Sequence, residues 1–531
     1  MFIDGRTLNR EKVAADICIV GAGAAGISIA VELAESGISV VLLESGDIEY
    51  KENSQMLYQG ENTSFNNFPL EAARLRYLGG TTNHWGGFTA RYSAFDFTPR
   101  PYMTASGWPI KHEALLEYYP RADRLCELEN TDRHVDAWQK LAGFEPISLK
   151  SGPISTAFGQ WSPPTRFGTV YREKLEKSRN IRVILNSNAQ EFLANQHATH
   201  VDTVVVKCIG GTQFEVAARC FVIAMGGLET ARLLLLSKKQ QSAGLGNGTD
   251  LVGRHYMDHL GLTGGELRLS PNAPNFDFFT GYSTVGASRL HGIFTPHPAA
   301  MIKENIGNFR TMLIPRTGTA GIESLKELSA NYLDPGTYQK IGYHLGNILV
   351  DIDQIADAAY KTAFRRKEGF LSGGVSRNEH ALNAVMHVSA EQLPNPDSRV
   401  TLSDKTDIFG QPRIRLEWKV LEADRRTLRQ SMTMFAAGIS SSGFGRFRLP
   451  GEISDGNFDY LIETACHHSG TTRMSASPKT GVVDANCKVH SVDNLYIASS
   501  SVFPTASWVN PTLTIVALAI RLADHVKKQY A

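Results

Sequence analysis

The chain has 531 residues, 42% hydrophobic and 20% charged, a length that domain-size priors divide into roughly two to four units. Lys+Arg 54 against Asp+Glu 53 leaves a formal net charge of +1, which gives no electrostatic reason to expect nucleic acid or an anionic membrane as partner. No run of about 18 apolar residues marks a transmembrane helix, no apolar stretch marks a signal peptide, and six scattered cysteines without CxxC spacing point to a cytoplasmic protein without a metal site.

Residues Ala15 to Glu44 read as a strand–helix–strand unit. Asp16-Ile17-Cys18-Ile19-Val20 is a short buried strand, and Gly21-Ala22-Gly23-Ala24-Ala25-Gly26 follows at once. Ile27, Ile29, Ala30, Leu33 and Ala34 form one apolar helical face, which Gly37 is expected to stop as a C′ residue. Ile38 to Leu43 is the second strand, closed by Glu44. Each part has a physical role in holding a dinucleotide. Gly21 permits the tight turn, Gly23 lets the backbone approach a pyrophosphate, and Gly26 lets helix and strand pack closely. The helix N-terminus favours the phosphates, and Glu44 accepts from ribose hydroxyls.

Tyr77-Leu78-Gly79-Gly80-Thr81-Thr82-Asn83-His84-Trp85-Gly86-Gly87 reads either as a glycine-rich turn or as a backbone pressed against a flat cofactor. Further on, Ile181–Leu185 and Thr203–Cys208 are strands, Gly210-Gly211 is a hairpin turn, and Phe214-Glu215-Val216 begins the return strand. Phe221-Val222-Ile223-Ala224-Met225-Gly226-Gly227 is a buried strand ending in glycines, before a helix from Glu229 to Leu236, a second strand–Gly–helix unit that could join the first sheet. Residues 266–375 give no clean topology. Arg413 to Trp418 alternates as a half-exposed antiparallel strand does, and Leu421 to Ala437 has the spacing of an amphipathic helix. The expected division is a dinucleotide domain over 1–265 and 455–531, with a substrate domain over 266–454.

The C-terminal part carries the candidate chemistry. His467-His468-Ser469-Gly470-Thr471 offers two imidazoles, the side chain best suited to taking a hydroxyl proton near neutral pH. Spacing alone does not choose between them, and a lone histidine is more often a packing residue. Asn494 to Ser499 is a strand ending in small residues. Asn510-Pro511-Thr512 opens a helix, with Pro511 at its first position and Asn510 as its N-cap.

Together these motifs resemble the glucose–methanol–choline (GMC) family of FAD oxidoreductases, with the look of its pyranose oxidases and bacterial sugar dehydrogenases. The likeness spans most of the chain: the GAGAAG unit with Glu44, the Gly79–Trp85 loop, Asp250 to His259, the His467–Thr471 segment and Asn510-Pro511, in the family's order. It implies an α/β fold, a Rossmann-type FAD-binding domain (GMC fold) with an α+β substrate domain built on an antiparallel sheet. Gly21, Gly23, Gly26, Glu44, Gly79, Thr81, Asn83, His84, Trp85, Gly86, Ser500, Asn510, Pro511 and Thr512 take the places of cofactor contacts. Ser500 stands where many flavoproteins of this fold place an Asp near the pyrophosphate. His84 sits where pyranose oxidases attach FAD covalently, though other sugar dehydrogenases also carry a His-Trp pair there.

By family spacing His467, not His468, is the proton acceptor, and Asn510 has a second task of hydrogen-bonding the alkoxide. The implied reaction oxidises the CH–OH of a sugar, glycoside or related polyol, with hydride transfer to flavin N5 and an electron acceptor that no motif identifies. Alternatives are another flavin chemistry, such as a lyase or decarboxylase, or a non-catalytic nucleotide-binding protein.

Overall fold

Near-continuous runs of Val, Ile and Leu, the mark of strands buried on both faces, build the first of three sheets among the described residues. The computed structural model describes the chain except for residues 130–146, 148, 150–152, 286–287, 316–323, 327, 330–340, 351, 353–354, 357–382 and 531. In spatial order this sheet runs β1 (Phe2–Asp4), β7 (Ile181–Leu185), β3 (Val40–Leu43), β2 (Lys12–Val20), β10 (Gln213–Ile223), β9 (Val201–Lys207) and β8 (Asn188–Ala194). A last strand, β20 (Leu495–Ile497), joins β10. β2 and β3 are parallel, with Ile17 opposite Val40, and helix α1 (Ala24–Leu33) makes the crossover. The helix ends earlier than the glycine pattern implies. Ala34 already leaves helical geometry at ψ 138, Glu35 takes the left-handed turn at φ 63, and Gly37 lies beyond it at φ 80.

The return strand expected to begin at Phe214 and the buried strand expected over Phe221–Gly227 belong to one strand of 11 residues, β10, which ends at Ile223. The less apolar stretch Ala217-Ala218-Arg219 hides this continuity, because a backbone ladder does not require apolar side chains. β10 pairs in parallel with β2 from Glu215 to Ile223, so the second strand–Gly–helix unit does join the first sheet. Its other edge is shared. β9 pairs antiparallel with Gln213–Ala217 through the Gly210-Gly211 turn, and β20 takes over at Phe221–Ile223. Helix α2 (Gly226–Leu236) follows β10 directly, and the C-terminal helix, designated α4 (Thr512–Tyr530), packs along α1.

The second sheet is antiparallel, in the order β18 (Gly445–Arg448), β11 (Leu260–Leu269), β15 (Asn383–Ala390), β14 (Phe309–Pro315), β13 (Ser288–Pro296), β6 (Ile154–Trp161) and β5 (Phe88–Thr89). β12 (Ser283–Val285) pairs with β13, and β19 (Glu463–Thr464) with β11. The sheet thus draws β5 and β6 from far upstream of residue 266. One face is covered by α3 (Glu422–Ser441), the amphipathic helix expected there, which buries Leu428, Met432 and Phe435. Phe435 lies 5.4 Å from Phe294 and 5.3 Å from Phe447, ring centre to ring centre. The alternating segment at 413–418 forms β17 (Pro412–Glu417), antiparallel to β16 (Arg399–Thr406) and parallel to β4 (Gly60–Asn62) in a three-stranded sheet. No described helix is long and apolar enough to cross a membrane.

Candidate active site

A cavity of about 460 Å³ opens at the carboxyl ends of β2, β3 and β10, where Val20, Leu43 and Ala224 reach its wall. In open α/β sheets this is where ligands bind. Gly21 turns there at φ 107, with its Cβ position only 2.6 Å from the Ala224 carbonyl oxygen. A Cβ on Gly26 would stand 1.9 Å from the Gly21 carbonyl oxygen, so helix and turn close on each other as the spacing predicts. Gly23 and Glu44 are on the wall. The Glu44 carboxylate accepts from the Ala22 N–H at 3.0 Å and the Gly46 N–H at 2.8 Å, which fixes it beside the turn.

The glycine-rich loop is tied to that turn by the Gly79 N–H, which donates to the Ala22 carbonyl at 2.9 Å. Asn83 donates to the Leu78 carbonyl at 2.9 Å, and Arg166 donates to the Thr82 carbonyl at 2.7 Å and the Trp85 carbonyl at 3.1 Å. Thr81, His84, Trp85 and Gly86 line the cavity; Gly79, Asn83 and Gly26 do not, and shape it from behind. The His84 imidazole carries no hydrogen bond among the described residues, and burial holds its pKa below the ordinary value. Ser500, Pro511 and Thr512 also line the cavity, with the Ser500 hydroxyl donating to the His468 carbonyl at 2.6 Å.

Several wall residues escaped the sequence reading. Arg74 and Arg76 belong to a buried ion cluster in which Glu229 lies 3.1 Å from Arg74, 3.9 Å from Arg76 and 3.3 Å from Arg232, and Arg232 meets Asp407 at 2.7 Å. Three guanidiniums against two carboxylates leave a positive excess beside the cavity. Neither arginine lies in a glycine or histidine motif, so only the fold reveals them. Met225, which precedes α2, and Gly226 and Gly227, which open it, are also on the wall.

His467, His468 and Asn510 all line the cavity. The two histidines differ sharply. His468 packs between Phe68, stacked at 6.3 Å, and Tyr256, and its Nε2 is buried without a partner. The His467 N–H donates to Asp258 Oδ1 at 2.8 Å, and its ring nitrogen Nδ1 lies 2.8 Å from His259 Nδ1. His259 in turn has Nε2 at 3.2 Å from the Ala506 carbonyl. A carbonyl only accepts, so His259 Nε2 carries the hydrogen and its Nδ1 is a lone pair. His467 Nδ1 must then be the donor, which leaves His467 Nε2 as a free acceptor. Burial holds both rings neutral, with His259 pushed down to about 4 and His467 well below the usual imidazole value, helped there by His259 and Arg310.

Asn510 is not the helix cap. The first helical bond of α4 runs from the Ile515 N–H to the Pro511 carbonyl at 2.9 Å, which moves the cap position onto Pro511. The Asn510 side-chain oxygen instead accepts from Arg310 Nη2 at 3.3 Å. Arginine only donates, so the amide oxygen faces it and the Nδ2 hydrogens are left over. The free functions of the pair are therefore one acceptor, His467 Nε2, and one donor, Asn510 Nδ2. An alcohol hydroxyl, which donates once and accepts, is complementary to both. Asp258 and His259 fall in the family stretch Asp250 to His259, whose sequence gives them no evident role, and Arg310 in the span 266–375, whose pattern gives no clean topology.

Comparison with known proteins bears on the whole chain. Residues 394–519 match the family model described as GMC oxidoreductase, and residues 16–257 the model described as FAD dependent oxidoreductase. The chain is 23% identical to the 2-methyl-1,2-propanediol dehydrogenase of Mycolicibacterium austroafricanum, over 97% of this chain and 96% of that one. It is also 23% identical to the fructose dehydrogenase large subunit of Gluconobacter japonicus, over 98% and 99%. Among solved structures, pyridoxine 4-oxidase from Mesorbium loti superposes with a TM-score of 0.58 at 17% identity, covering 96% of this chain and 99% of the other, a likeness of fold.

Proposed function

As the chain belongs to the GMC oxidoreductase family and is an FAD-dependent oxidoreductase, we propose that it oxidises the CH–OH group of a sugar, glycoside or related polyol, with His467 as the base. The observation that carries this reading is the hydrogen-bond chain Ala506–His259–His467, which leaves His467 Nε2 as a lone pair on the cavity wall. FAD at the cavity is supported by its form and chemistry. The glycine turn and Glu44 suit the ADP half, the positive excess at Arg74 and Arg76 suits its pyrophosphate, and the orphaned His468 Nε2 awaits a polar group.

Bound FAD supplies the two-electron acceptor for the carbinol hydrogen. His467 Nε2 takes the hydroxyl proton, while Asn510 Nδ2 donates to the same oxygen as it gains negative charge. His259 accepts the His467 Nδ1 hydrogen and keeps the ring in the tautomer with Nε2 open. Arg310 holds the Asn510 oxygen and so aims its donors at the substrate. The polyol class is favoured by the sugar and diol substrates in the names of the relatives. His84 reaches the wall with a neutral, unbonded ring, as covalent attachment of FAD requires. Acid denaturation, asking whether yellow colour stays with the polypeptide, separates bound-through-His84 from dissociable FAD.

The test of the base is His467→Ala in flavin-loaded protein, reduced anaerobically by a panel of sugars, glycosides and simple alcohols. The expected loss in the rate of flavin reduction is roughly 10²–10⁴-fold. Near-full reduction with FAD retained would remove His467 from the role.

A further inference from the structure

The antiparallel sheet has two unlike faces. Phe294, Phe309, Leu313 and Met386 point with their strands' alternate residues toward α3. The other face carries Trp161, His291, Arg310, His387 and Ser389, a placement fixed by register: Arg310 opposes Ser389, Met312 opposes His387, and His291 opposes Gly159. This face backs onto the cavity wall at two points. Arg310 reaches Asn510, and Trp161 lies 3.7 Å from where a Cβ on Gly86 would stand.

The face is short of partners. Trp161 Nε1, His291 Nε2, Arg310 Nε and Ser389 Oγ are all buried without a hydrogen bond. Arg310 is only 8% exposed, and among the described residues no carboxylate lies within 4.0 Å of it. Its contacts are the Asn510 oxygen, Met312 Sδ and the face of Phe88, 4.7 Å from the ring centre. Burial alone lowers its pKa to about 10, with no acid opposing the shift. Among the other buried guanidiniums, Arg100 pairs with Glu391 at 2.6 Å and Arg232 with Asp407 at 2.7 Å. Arg473 also lacks a carboxylate but donates to a main-chain carbonyl, that of Ala105. A guanidinium buried with neither counter-charge nor a full set of acceptors is costly unless a ligand completes it.

We propose that Arg310 is the seat of a carboxylate carried by the substrate, so that the alcohol oxidised belongs to a hydroxy acid, within the polyol class a sugar acid. The proposal rests on the reading of His467 and Asn510 as the pair that meets the hydroxyl. A single fixed cation suits a monoanion; a phosphate dianion would call for a second cation, and the histidines on this face are held neutral by burial. A quaternary ammonium substrate would meet repulsion. His291 Nε2 and the Trp161 Nε1 donor, both without partners, suit further hydroxyls.

The test uses flavin-loaded enzyme and begins without turnover, by titrating acetate and acetamide against the flavin absorbance spectrum. Acetate is expected to bind roughly 10- to 100-fold more tightly, and Arg310→Met to erase the difference. Parent and variant are then reduced anaerobically with matched pairs, glucose against glucuronate and glycerol against glycerate. The acid-to-neutral ratio of kcat/KM should favour the acid in the parent and collapse in Arg310→Met, whatever loss both substrates share through Asn510. Arg310→Lys, which keeps the charge without the fork, retains part of the preference and carries the test if the methionine variant loses its flavin. Equal affinity for acetate and acetamide in the parent, or one common loss factor for acid and neutral substrates, overturns the proposal. Failure of every alcohol to bleach the flavin would instead sink the proposed function, and the acetate titration would still judge Arg310.

Discussion

His259 and His467 face each other Nδ1 to Nδ1 at 2.8 Å, with their ring planes 85° apart. Only one of the two nitrogens carries a hydrogen, and the Ala506 carbonyl decides which. His259 thus acts on the proposed chemistry by fixing the tautomer of its neighbour. Replacing it with Phe leaves the His467 Nδ1 hydrogen without an acceptor and frees the ring to turn, and the rate of anaerobic flavin reduction is expected to fall roughly 10- to 100-fold with little change in substrate KM. His259→Gln restores a carbonyl acceptor and should recover much of the rate. If Phe and Gln are equally slow, the effect is packing rather than tautomer.

The same burial makes a prediction about pH. A base held neutral well below the usual imidazole range keeps its lone pair as pH falls, so flavin reduction should show no acid limb between pH 8 and 6. Stability behaves oppositely. His255 and His468 are pushed down to about 3, and His259, His291 and His387 to about 4, so the unfolded chain binds more protons than the folded one from those values up to the ordinary 6.5. Their contribution is complete above pH 6.5 and is lost as pH falls through that window. Asp258 and Asp424, raised to about 6 and about 7, work in the other direction, but they are two groups against five. The thermal midpoint should therefore drop on going from pH 7 to pH 5, and His468→Phe should flatten that slope. A midpoint independent of pH across the window would contradict this.

The parts legible in the sequence are those whose physics is local. The Gly21–Gly26 turn, the strand to Glu44 and the amphipathic spacing of α3 depend on neighbours within a few residues, and they stand where the pattern puts them. Asn510 illustrates the opposite. Asn before Pro is a sound capping signal, yet a buried arginine from a strand 200 residues away competes for its oxygen. Arg310, Arg74 and His259 owe their places to sheet register and to packing between distant segments. No periodicity in the linear chain reports such a meeting.

Two glycines separate folding from cofactor binding. A Cβ on Gly26 would lie 1.9 Å from the Gly21 carbonyl oxygen, so Gly26→Ala must push helix from turn and is expected to cost about 1–3 kcal/mol of stability or more. A Cβ on Gly23 meets no protein atom within 4 Å and projects at the cavity wall. Gly23→Ala should leave the thermal midpoint of flavin-free protein unchanged while weakening FAD binding by about tenfold or more, measured by fluorescence titration. Equal effects of the two substitutions on both readouts would count against the assignment.

Glu391 and Arg100 lie far from any motif but hold the site's scaffold. Glu391 is fully buried, accepts from Arg100 Nη1 at 2.6 Å and Nη2 at 2.8 Å, and also takes the Asn308 N–H at 2.9 Å and the Ser507 N–H at 3.0 Å. One carboxylate thereby joins β14, which carries Arg310, to the segment that runs into Asn510. Removing it strands a guanidinium and two backbone donors in the interior. Glu391→Ala is expected to destabilise the protein by about 3–5 kcal/mol in urea unfolding. Adding Arg100→Met should return part of that loss, since the orphaned charge then disappears, but not the part due to the two unpaired N–H groups. A double variant as unstable as the single would show that the backbone contacts, rather than the ion pair, carry the energy.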